Sequence, residues 1–153
     1  MGAAYFYHLT DRPLEATLPV LLSKALDAGW RVAVRCGDKG LIERLDRTLW
    51  QGNGFLPHGI AGGPHDAMQP VLLTGETEAA NGAVCVINVG GAEVSADDVQ
   101  KLERVCILFD GADPDAVEHA RNQWKSLTGA GAVAQYWAEE GGRWIKKAES
   151  QST

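Results

Sequence analysis

Hydrophobic residues along the chain form short apolar runs that alternate with longer stretches of helical spacing. Residues 14–28 and 39–50 repeat apolar side chains every three or four positions, which is typical of amphipathic helices. The run at residues 83–89 is almost uninterrupted, as in a strand that is covered on both faces. Further short runs indicate strands at residues 5–9, 31–36, 70–74 and 105–109. This alternation predicts an α/β fold with a doubly wound, mainly parallel sheet and right-handed crossovers.

Capping residues locate the ends of several predicted elements. Asp113 as N-cap and Pro114 at the first position predict a last helix that runs to about Leu127. Ser95 is expected to cap a short helix that ends near Glu103. The first helical pattern, residues 14–28, contains Pro19, so the helix begins either at Leu14 or, with Pro19 in its first turn, near residue 16 or 17.

The C-terminal part of the chain resembles a strand pair. Residues 132–137 and 142–147 flank a polar turn at residues 138–141. The sequence shows no internal repeat and no linker, so we predict a single α/β domain over residues 1–148 and a frayed polar tail over residues 149–153.

One stretch, residues 45–59, combines a helix end with an aromatic loop. Leu45, Leu49 and Trp50 continue an apolar helical stripe, and the glycines that follow end the helix. Phe55, Leu56 and Pro57 lie in a segment too rich in glycine and proline for a central strand. Composition alone leaves two interpretations open, a loop that caps the core and a docking surface.

Charge disfavours some classes of partner. The formal net charge is −6, so direct binding to a long phosphate backbone is a poor expectation. Basic residues are concentrated near the C-terminus, at Arg121, Lys125, Arg143, Lys146 and Lys147. A local basic patch of this kind suits an acidic peptide better than a nucleic acid.

Cysteine usage and hydropathy suggest an intracellular protein. The three cysteines, Cys36, Cys85 and Cys106, lie far apart within apolar runs and form no CxxC motif, so we predict buried reduced thiols. No apolar run approaches the ~20 residues of a membrane span. Residues 1–5 do not begin a signal peptide, and we expect a cytoplasmic location.

The sequence lacks a complete catalytic constellation. No glycine fingerprint follows the first strand, and the glycine-rich loop of residues 59–63 lacks the lysine and hydroxyl of a P-loop. His58 and His65 share a loop without metal-ligand spacing. We therefore predict a binding module with no catalytic residue, cofactor or metal. One alternative is a nucleotide- or metal-dependent enzyme that uses Asp110, His58 and the loop from Gly59 to Gly63.

A second alternative is a direct single-strand binder, with aromatic side chains as stacking platforms beside lysines. The aromatic residues in question are Trp124, Tyr136, Trp137 and Trp144. This alternative predicts steeply salt-dependent binding to an oligonucleotide in the absence of any partner. We expect no such binding at physiological salt.

Several segments resemble the chi subunit of bacterial DNA polymerase III, an accessory protein of the clamp-loader complex. The most specific pair is LDxxLW at residues 45–50 followed by FLPH at residues 55–58. Further matching segments are FYHL at 6–9, GWRVAV at 29–34, PV at 70–71, FDG at 109–111 and ARNQWK at 120–125. The resemblance covers nearly the whole chain.

The resemblance implies a Rossmann-like sandwich that does not bind nucleotides and is not an enzyme on its own. It also implies an adaptor with two partners. One is the psi subunit, which ties chi to the clamp loader, and the other is the acidic, Phe-terminated C-terminal tail of the single-stranded DNA-binding protein. Contact with DNA would then be mainly indirect.

The resemblance also assigns residues to these two surfaces. The psi-facing candidates are Trp50, Phe55, Leu56, Pro57 and His58. On the last helix, Arg121 corresponds to the basic residue that meets the tail carboxylate, Lys125 to a second basic position and Trp124 to an aromatic position. A third basic position of the family is Val117 here, and Lys146 and Lys147 are expected to supply the missing charge.

Overall fold

A computed structural model of the chain describes residues 2–10, 13–51, 58–64, 66–75, 81–141 and 143–150. The strands are β1 Ala3–Leu9, β2 Val32–Cys36, β3 His58–Ile60, β4 Val71–Thr74, β5 Cys85–Val89, β6 Arg104–Asp110, β7 Val133–Glu140 and β8 Arg143–Ser150. The helices are α1 Leu14–Asp27, α2 Lys39–Gln51, α3 Ala96–Lys101 and α4 Pro114–Gly129, with a short 3₁₀ turn at Asp66–Met68.

The described strands all belong to one sheet of eight, in the order β3-β4-β2-β5-β6-β1-β7-β8. Every neighbouring pair is parallel except the C-terminal pair β7 and β8, which is antiparallel. The structure therefore confirms the predicted α/β fold, its mainly parallel sheet and its C-terminal strand pair.

Helices cover both faces of the sheet. On the first, which we call the α1 face, Leu18 and Leu22 of α1 and Leu45 of α2 pack with inward-facing side chains of β2 and β5. On the second, the α4 face, Ala120 and Leu127 of α4 and Val99 of α3 join a separate apolar cluster. Burial on both sides explains why β2 and β5 are fully buried strands.

Strand β1 contributes to both faces because side chains alternate along a strand. Tyr7 and Leu9 belong with the α1-face cluster, whereas Ala4 and Phe6 belong with the α4-face cluster. β1 lies between β6 and β7 in parallel register with each of them. Its side chains consequently support whatever is built on either side of the sheet.

The predicted starts of α4 and α3 are confirmed, and the structure decides between the two alternatives for α1. Asp113 Oδ1 accepts a hydrogen bond from Asp115 N at 3.0 Å, and Pro114 begins α4. Ser95 and Asp98 form a reciprocal capping box at the start of α3, although that helix ends at Lys101. For α1 the first alternative is confirmed, because the helix begins at Leu14 and contains Pro19 in its interior, and the alternative start near residue 16 or 17 is wrong. Proline removes one hydrogen bond there, and the buried neighbours Leu18 and Leu22 hold the helix against the sheet.

Two strands differ from the predicted pattern. β3 is a three-residue edge strand beside β4 in a segment that the pattern assigns to a loop. β8 extends to Ser150, so Glu149 and Ser150, which the sequence analysis assigns to the polar tail, pair with β7. Residues 151–153 lie outside the described residues.

The three cysteines are free and buried, as predicted. Burial, together with the nearby Asp38 carboxylate, raises the pKa of the Cys36 thiol to about 12. At neutral pH this cysteine is therefore a protonated core residue and a poor nucleophile. None of the described helices is both long and apolar enough to cross a membrane.

The capping box of α3 also holds a buried cation. Arg35, 6% exposed on β2, donates from Nη1 to Asp98 Oδ2 at 3.0 Å. We expect Asp98→Ala to lower the free energy of unfolding by about 2–4 kcal/mol, because it removes the carboxylate that accepts from Ser95 N in the capping box and that partners a buried guanidinium. The exposed neighbour Asp97 provides the control, and Asp97→Ala should change stability by less than about 0.5 kcal/mol in urea unfolding.

The effect of Asp98→Ala should depend on pH. Burial alone would raise the pKa of Asp98, but the hydrogen bonds from Arg35 and Ser95 outweigh burial and hold it below its ordinary value of 3.8. A carboxyl group whose pKa is lower in the folded state stabilises the protein at pH values above its unfolded-state pKa. This stabilisation is lost as the pH falls through the folded-state pKa. The difference in the free energy of unfolding between wild type and Asp98→Ala should therefore shrink as the pH falls through the folded-state pKa of Asp98. A difference that stays constant with pH would contradict this role.

Candidate functional site

The exposed side of α4 carries two cations one helical turn apart. Arg121 and Lys125 are exposed, and Trp124 between them is half-buried. The Trp124 ring packs edge-on against Phe6, with 5.4 Å between ring centroids, and against Tyr136 at 6.1 Å. Since Phe6 is fully buried, the cations stand beside an aromatic surface that is anchored in the core.

Arg121 also influences a polar pair at the edge of this surface. The Tyr136 hydroxyl lies 2.7 Å from His8 Nδ1. Burial lowers the pKa of His8 and the positive charge of Arg121 lowers it further, while Asp110 opposes both. Burial raises the pKa of Tyr136, and Arg121 opposes that shift. Arg121, Trp124, Lys125, Tyr136 and His8 therefore form one surface, which we call the α4 site.

The cations of the α4 site are not neutralised within the described part of the chain. Neither Arg121 nor Lys125 makes an ion pair there. A guanidinium beside two rings and a hydroxyl can bind a carboxylate through charge-assisted hydrogen bonds. The arrangement favours a ligand that combines an acidic group with an aromatic or apolar one.

The other residues expected at this surface are distributed differently. Val117 is half-buried against the α4-face core. Lys147 pairs with Glu140. Lys146 lies opposite Trp137 in the β7–β8 register, on the α1 face, and its Nζ is 2.7 Å from Glu149 Oε2. The structure thus brings together Arg121, Trp124 and Lys125, and it separates Lys146 from them.

A second candidate surface lies at the end of α2. Trp50 is 56% exposed, and its ring centroid is 4.5 Å from that of His58. His58 itself is 6% exposed, with Nε2 3.1 Å from Asp46 Oδ1. Phe55, Leu56 and Pro57 lie outside the described residues. Trp50 is therefore a surface residue, and the buried ring of His58 packs beneath it.

The glycine-rich loop after β3 is not arranged to cradle a phosphate. The backbone N–H groups of Gly62 and Gly63 donate to the carboxylate of Asp66 at 2.8 and 3.0 Å. Asp110 Oδ1 accepts from Ala112 N at 2.9 Å, which is a turn contact. β3 and β6 are four positions apart in the sheet, which is about 19 Å at the usual strand spacing.

Metal binding finds no support in the described ranges. No group of three or more His, Cys, Asp or Glu side chains within them is arranged to hold a metal ion. His65, which follows His58 in the sequence without metal-ligand spacing, lies outside the described residues.

A family model for the DNA polymerase III chi subunit, HolC, matches residues 1–135, which include every element from β1 to α4. The chain belongs to this family. The members of this family are non-catalytic accessory subunits of the DNA polymerase III holoenzyme, and they act in DNA replication. No curated protein matches the chain at a significant level.

Membership in the chi family decides whether the protein is an enzyme on its own. The prediction of a protein that is not an enzyme on its own is confirmed, and the alternative of a nucleotide-dependent enzyme using Asp110 is wrong. Association with the DNA polymerase III holoenzyme follows from the family. Most of β7 and all of β8 lie beyond the matched residues.

Sequence reasoning on this chi-family protein missed His8 and Tyr136 as parts of the α4 site. The spacing of Arg121, Trp124 and Lys125 predicts that they share a helix face. The partners on β1 and β7 are found only from the strand order, in which Phe6 lies beside Tyr136. The four proposed stacking residues do not share a face, because side chains alternate along a strand. Trp124 and Tyr136 lie on the α4 face, and Trp137 and Trp144 lie on the α1 face.

Substitution of Arg121 tests the geometry of the α4 site. We expect Arg121→Gln to raise the pKa of His8, because it removes a positive charge that disfavours the imidazolium. Lys125→Gln removes the same charge on the same helix face and should shift the pKa of His8 much less. Titration of the His8 ring resonances by NMR measures both, and equal shifts in the two variants would contradict the placement of Arg121.

Proposed function

We propose that this protein is a replication adaptor that binds the acidic, Phe-terminated C-terminal tail of the single-stranded DNA-binding protein through the α4 site. A second surface around Trp50 binds the psi subunit or another clamp-loader subunit. The protein acts in the cytoplasm and reaches DNA mainly through the tail. The observation that carries the proposal is the pair of unneutralised cations, Arg121 and Lys125, beside an anchored aromatic surface.

Each part of the tail has a complement on α4. The guanidinium of Arg121 binds the terminal carboxylate, and the ring of the terminal Phe packs against Trp124 and Tyr136. Lys125, one turn further along the exposed side, attracts the acidic residues that precede the Phe. The low pKa of His8 keeps its imidazole neutral at pH 7, so that Arg121 and Lys125 provide the positive charge.

The magnitudes favour weak binding of a single tail. Burial of a Phe side chain contributes about 1.5–3 kcal/mol, and a charge-assisted hydrogen bond adds about 1.5–3 kcal/mol. Lost translational and rotational freedom opposes this by at least ~4 kcal/mol. These contributions nearly cancel, so a single tail binds weakly, and the attraction of Lys125 for the flanking acidic residues adds to its affinity. Several tails on one oligomer strengthen attachment through avidity.

The remaining basic residues contribute less to this surface. Val117 gives no third cation on α4. Lys147 is paired with Glu140 and Lys146 with Glu149, so recruiting either one first breaks an ion pair. Lys146 also faces away from α4. Arg121 and Lys125 therefore provide most of the positive charge for tail binding.

The exposed side chains near the β3 edge support the second partner surface. Trp50, Ile60 and Met68 are 56%, 40% and 73% exposed, and β3 is an edge strand of the sheet. Exposed large apolar side chains next to an open sheet edge are typical of protein interfaces. Phe55, Leu56 and Pro57 are proposed to belong to the same surface, with His58 as a support behind Trp50.

Titration of the tail tests the first surface. We expect Arg121→Gln to weaken binding of a short acidic peptide ending in Phe by about tenfold or more in calorimetry. Arg47→Gln is the matched control, because Arg47 is also an exposed helical arginine but lies on α2, and it should leave the affinity unchanged. Equal affinity of wild type and Arg121→Gln would remove the tail site from α4.

Truncation of Trp50 tests the second surface. We expect Trp50→Ala to abolish or strongly weaken capture of the purified clamp-loader complex in surface plasmon resonance. Since the side chain is largely exposed, the free energy of unfolding should fall by less than about 1.5 kcal/mol. Tail-peptide binding should be preserved in this variant. Clamp-loader binding that is unaffected by Trp50→Ala would contradict the proposed surface.

A further inference from the structure

The α1 face carries a groove that the proposed adaptor function does not use. It lies between α1 and the strands β1, β7 and β8 and has a volume of about 580 Å³. This volume is typical of sites for small ligands. Its aromatic lining residues are Tyr5, Tyr7, Trp30, Trp137 and Trp144. We call it the α1 groove.

A guanidinium is held between rings at one side of the α1 groove. The Cζ atom of Arg104 lies 4.3 Å from the ring centroid of Tyr5 and 5.2 Å from that of Trp30. A guanidinium in a cation–π contact keeps N–H donors in its plane that can bind an anion. No described carboxylate forms an ion pair with Arg104.

The charge of the α1 groove is opposite to that of the whole chain. Lys24, exposed in the last turn of α1, is a second lining cation without an ion pair among the described residues. The described lining of the groove includes no Asp or Glu, although the chain has a net charge of −6. On β8, Lys146 and Glu149 neutralise each other. The groove therefore complements an anion.

The aromatic walls are fixed by contacts of their own. The rings of Tyr7 and Trp144 meet edge to face, with 5.2 Å between their centroids. Trp137 Nε1 donates to Gln135 Oε1 at 3.0 Å. Trp137 and Trp144 both lie beyond residue 135, where the match to the chi family ends. This wall is built by the C-terminal hairpin of this chain.

We infer that the α1 groove binds one or two nucleotides of single-stranded DNA. Rings that present stacking surfaces, next to cations that lack carboxylate partners, are the combination that holds bases and phosphates of a single strand. A Phe-terminated peptide brings only one ring, whereas this groove offers aromatic surface on β1, β7, β8 and beside β2. Arg104 and Lys24 then contact the phosphates.

Binding by the free protein should be weak and moderately sensitive to salt. Two phosphate contacts on a single strand give a slope of about −1.4 for log K against log salt. The acidic remainder of the protein repels the strand, so little binding is expected at physiological salt. Attachment through the α4 site would raise the local strand concentration; this last step rests on the proposed tail binding, but occupation of the groove does not.

A pair of matched variants tests the inference. Binding of a labelled short oligothymidylate is followed by fluorescence anisotropy at ~20 mM salt, where charges are least screened. We expect Arg104→Gln to weaken binding about fivefold or more, and Arg121→Gln, on the opposite face, to change it by less than about twofold. Lys24→Gln, a substitution at an exposed helix position, should weaken binding in the same direction without affecting folding. An abasic strand of equal length should bind more weakly than oligothymidylate.

Indole N–H resonances give a second measurement that does not depend on substitutions. Oligothymidylate should shift the signals of Trp30, Trp137 and Trp144 and leave those of Trp50 and Trp124 unchanged. Equal losses in Arg104→Gln and Arg121→Gln, or equal binding of the abasic strand, would overturn the inference. So would an effect of Arg104→Gln on the acidic peptide alone, because the groove would then be a peptide site. Peptide calorimetry with Arg121→Gln reports on tail binding separately.

Discussion

The alternation of side chains along β1 is the constraint on which the α4 site and the α1 groove both depend. Phe6 points to the α4 face, where it is fully buried and supports the ring of Trp124. Tyr5 and Tyr7 point to the α1 face, where they contact Arg104 and Trp144. Because the period of a strand is two, a slip of one residue would exchange these two sets. The register with β6 and β7, which spans most of the strand, prevents that slip.

Net charge is a poor guide to what this protein binds, because its charges differ in how they are used. Arg35 is consumed by the capping box of α3, and Arg44 pairs with Glu15 across two helices. Arg104 instead lies over the ring of Tyr5, and Arg121 is close enough to Tyr136 for its charge to oppose the burial that raises the pKa of that hydroxyl; neither has an ion-pair partner in the part of the chain that the structure describes. An acidic domain can thus present local positive charge on both faces of its sheet while its overall field repels polyanions.

Much of the fold could be predicted because its signals are local. The apolar run of β5 and the Asp113–Pro114 start of α4 are determined by residues adjacent in sequence. Pro19 shows the limit of such reasoning, because the packing of Leu18 and Leu22 outweighs the hydrogen bond that proline removes. β3 was missed for a related reason. It is a three-residue strand that depends on pairing with β4.

The candidate site shows the same division between local and distant information. Helical spacing predicts that Arg121 and Lys125 share a face, and resemblance to the chi family gives that face a ligand. The face on which Lys146 lies depends on the register of β7 with β8, including the irregularity after Tyr136. Such a register is not readable from composition, since one inserted residue reverses the direction of every later side chain.

The separation of the surfaces has a consequence for an adaptor. β3, next to the exposed Trp50, lies five positions from β1 in the sheet order, which is about 24 Å. The α4 site and the α1 groove lie on opposite faces of the strands around β1. The three proposed ligands therefore occupy separate surfaces. They are a protein partner at the β3 edge, a peptide on α4 and single-stranded DNA in the α1 groove. The strands between these surfaces, β2 and β5 among them, are buried, and the described residues show no second arrangement through which binding at one surface would weaken binding at another. Simultaneous occupation, with affinities that are nearly independent, is the behaviour that such an architecture favours.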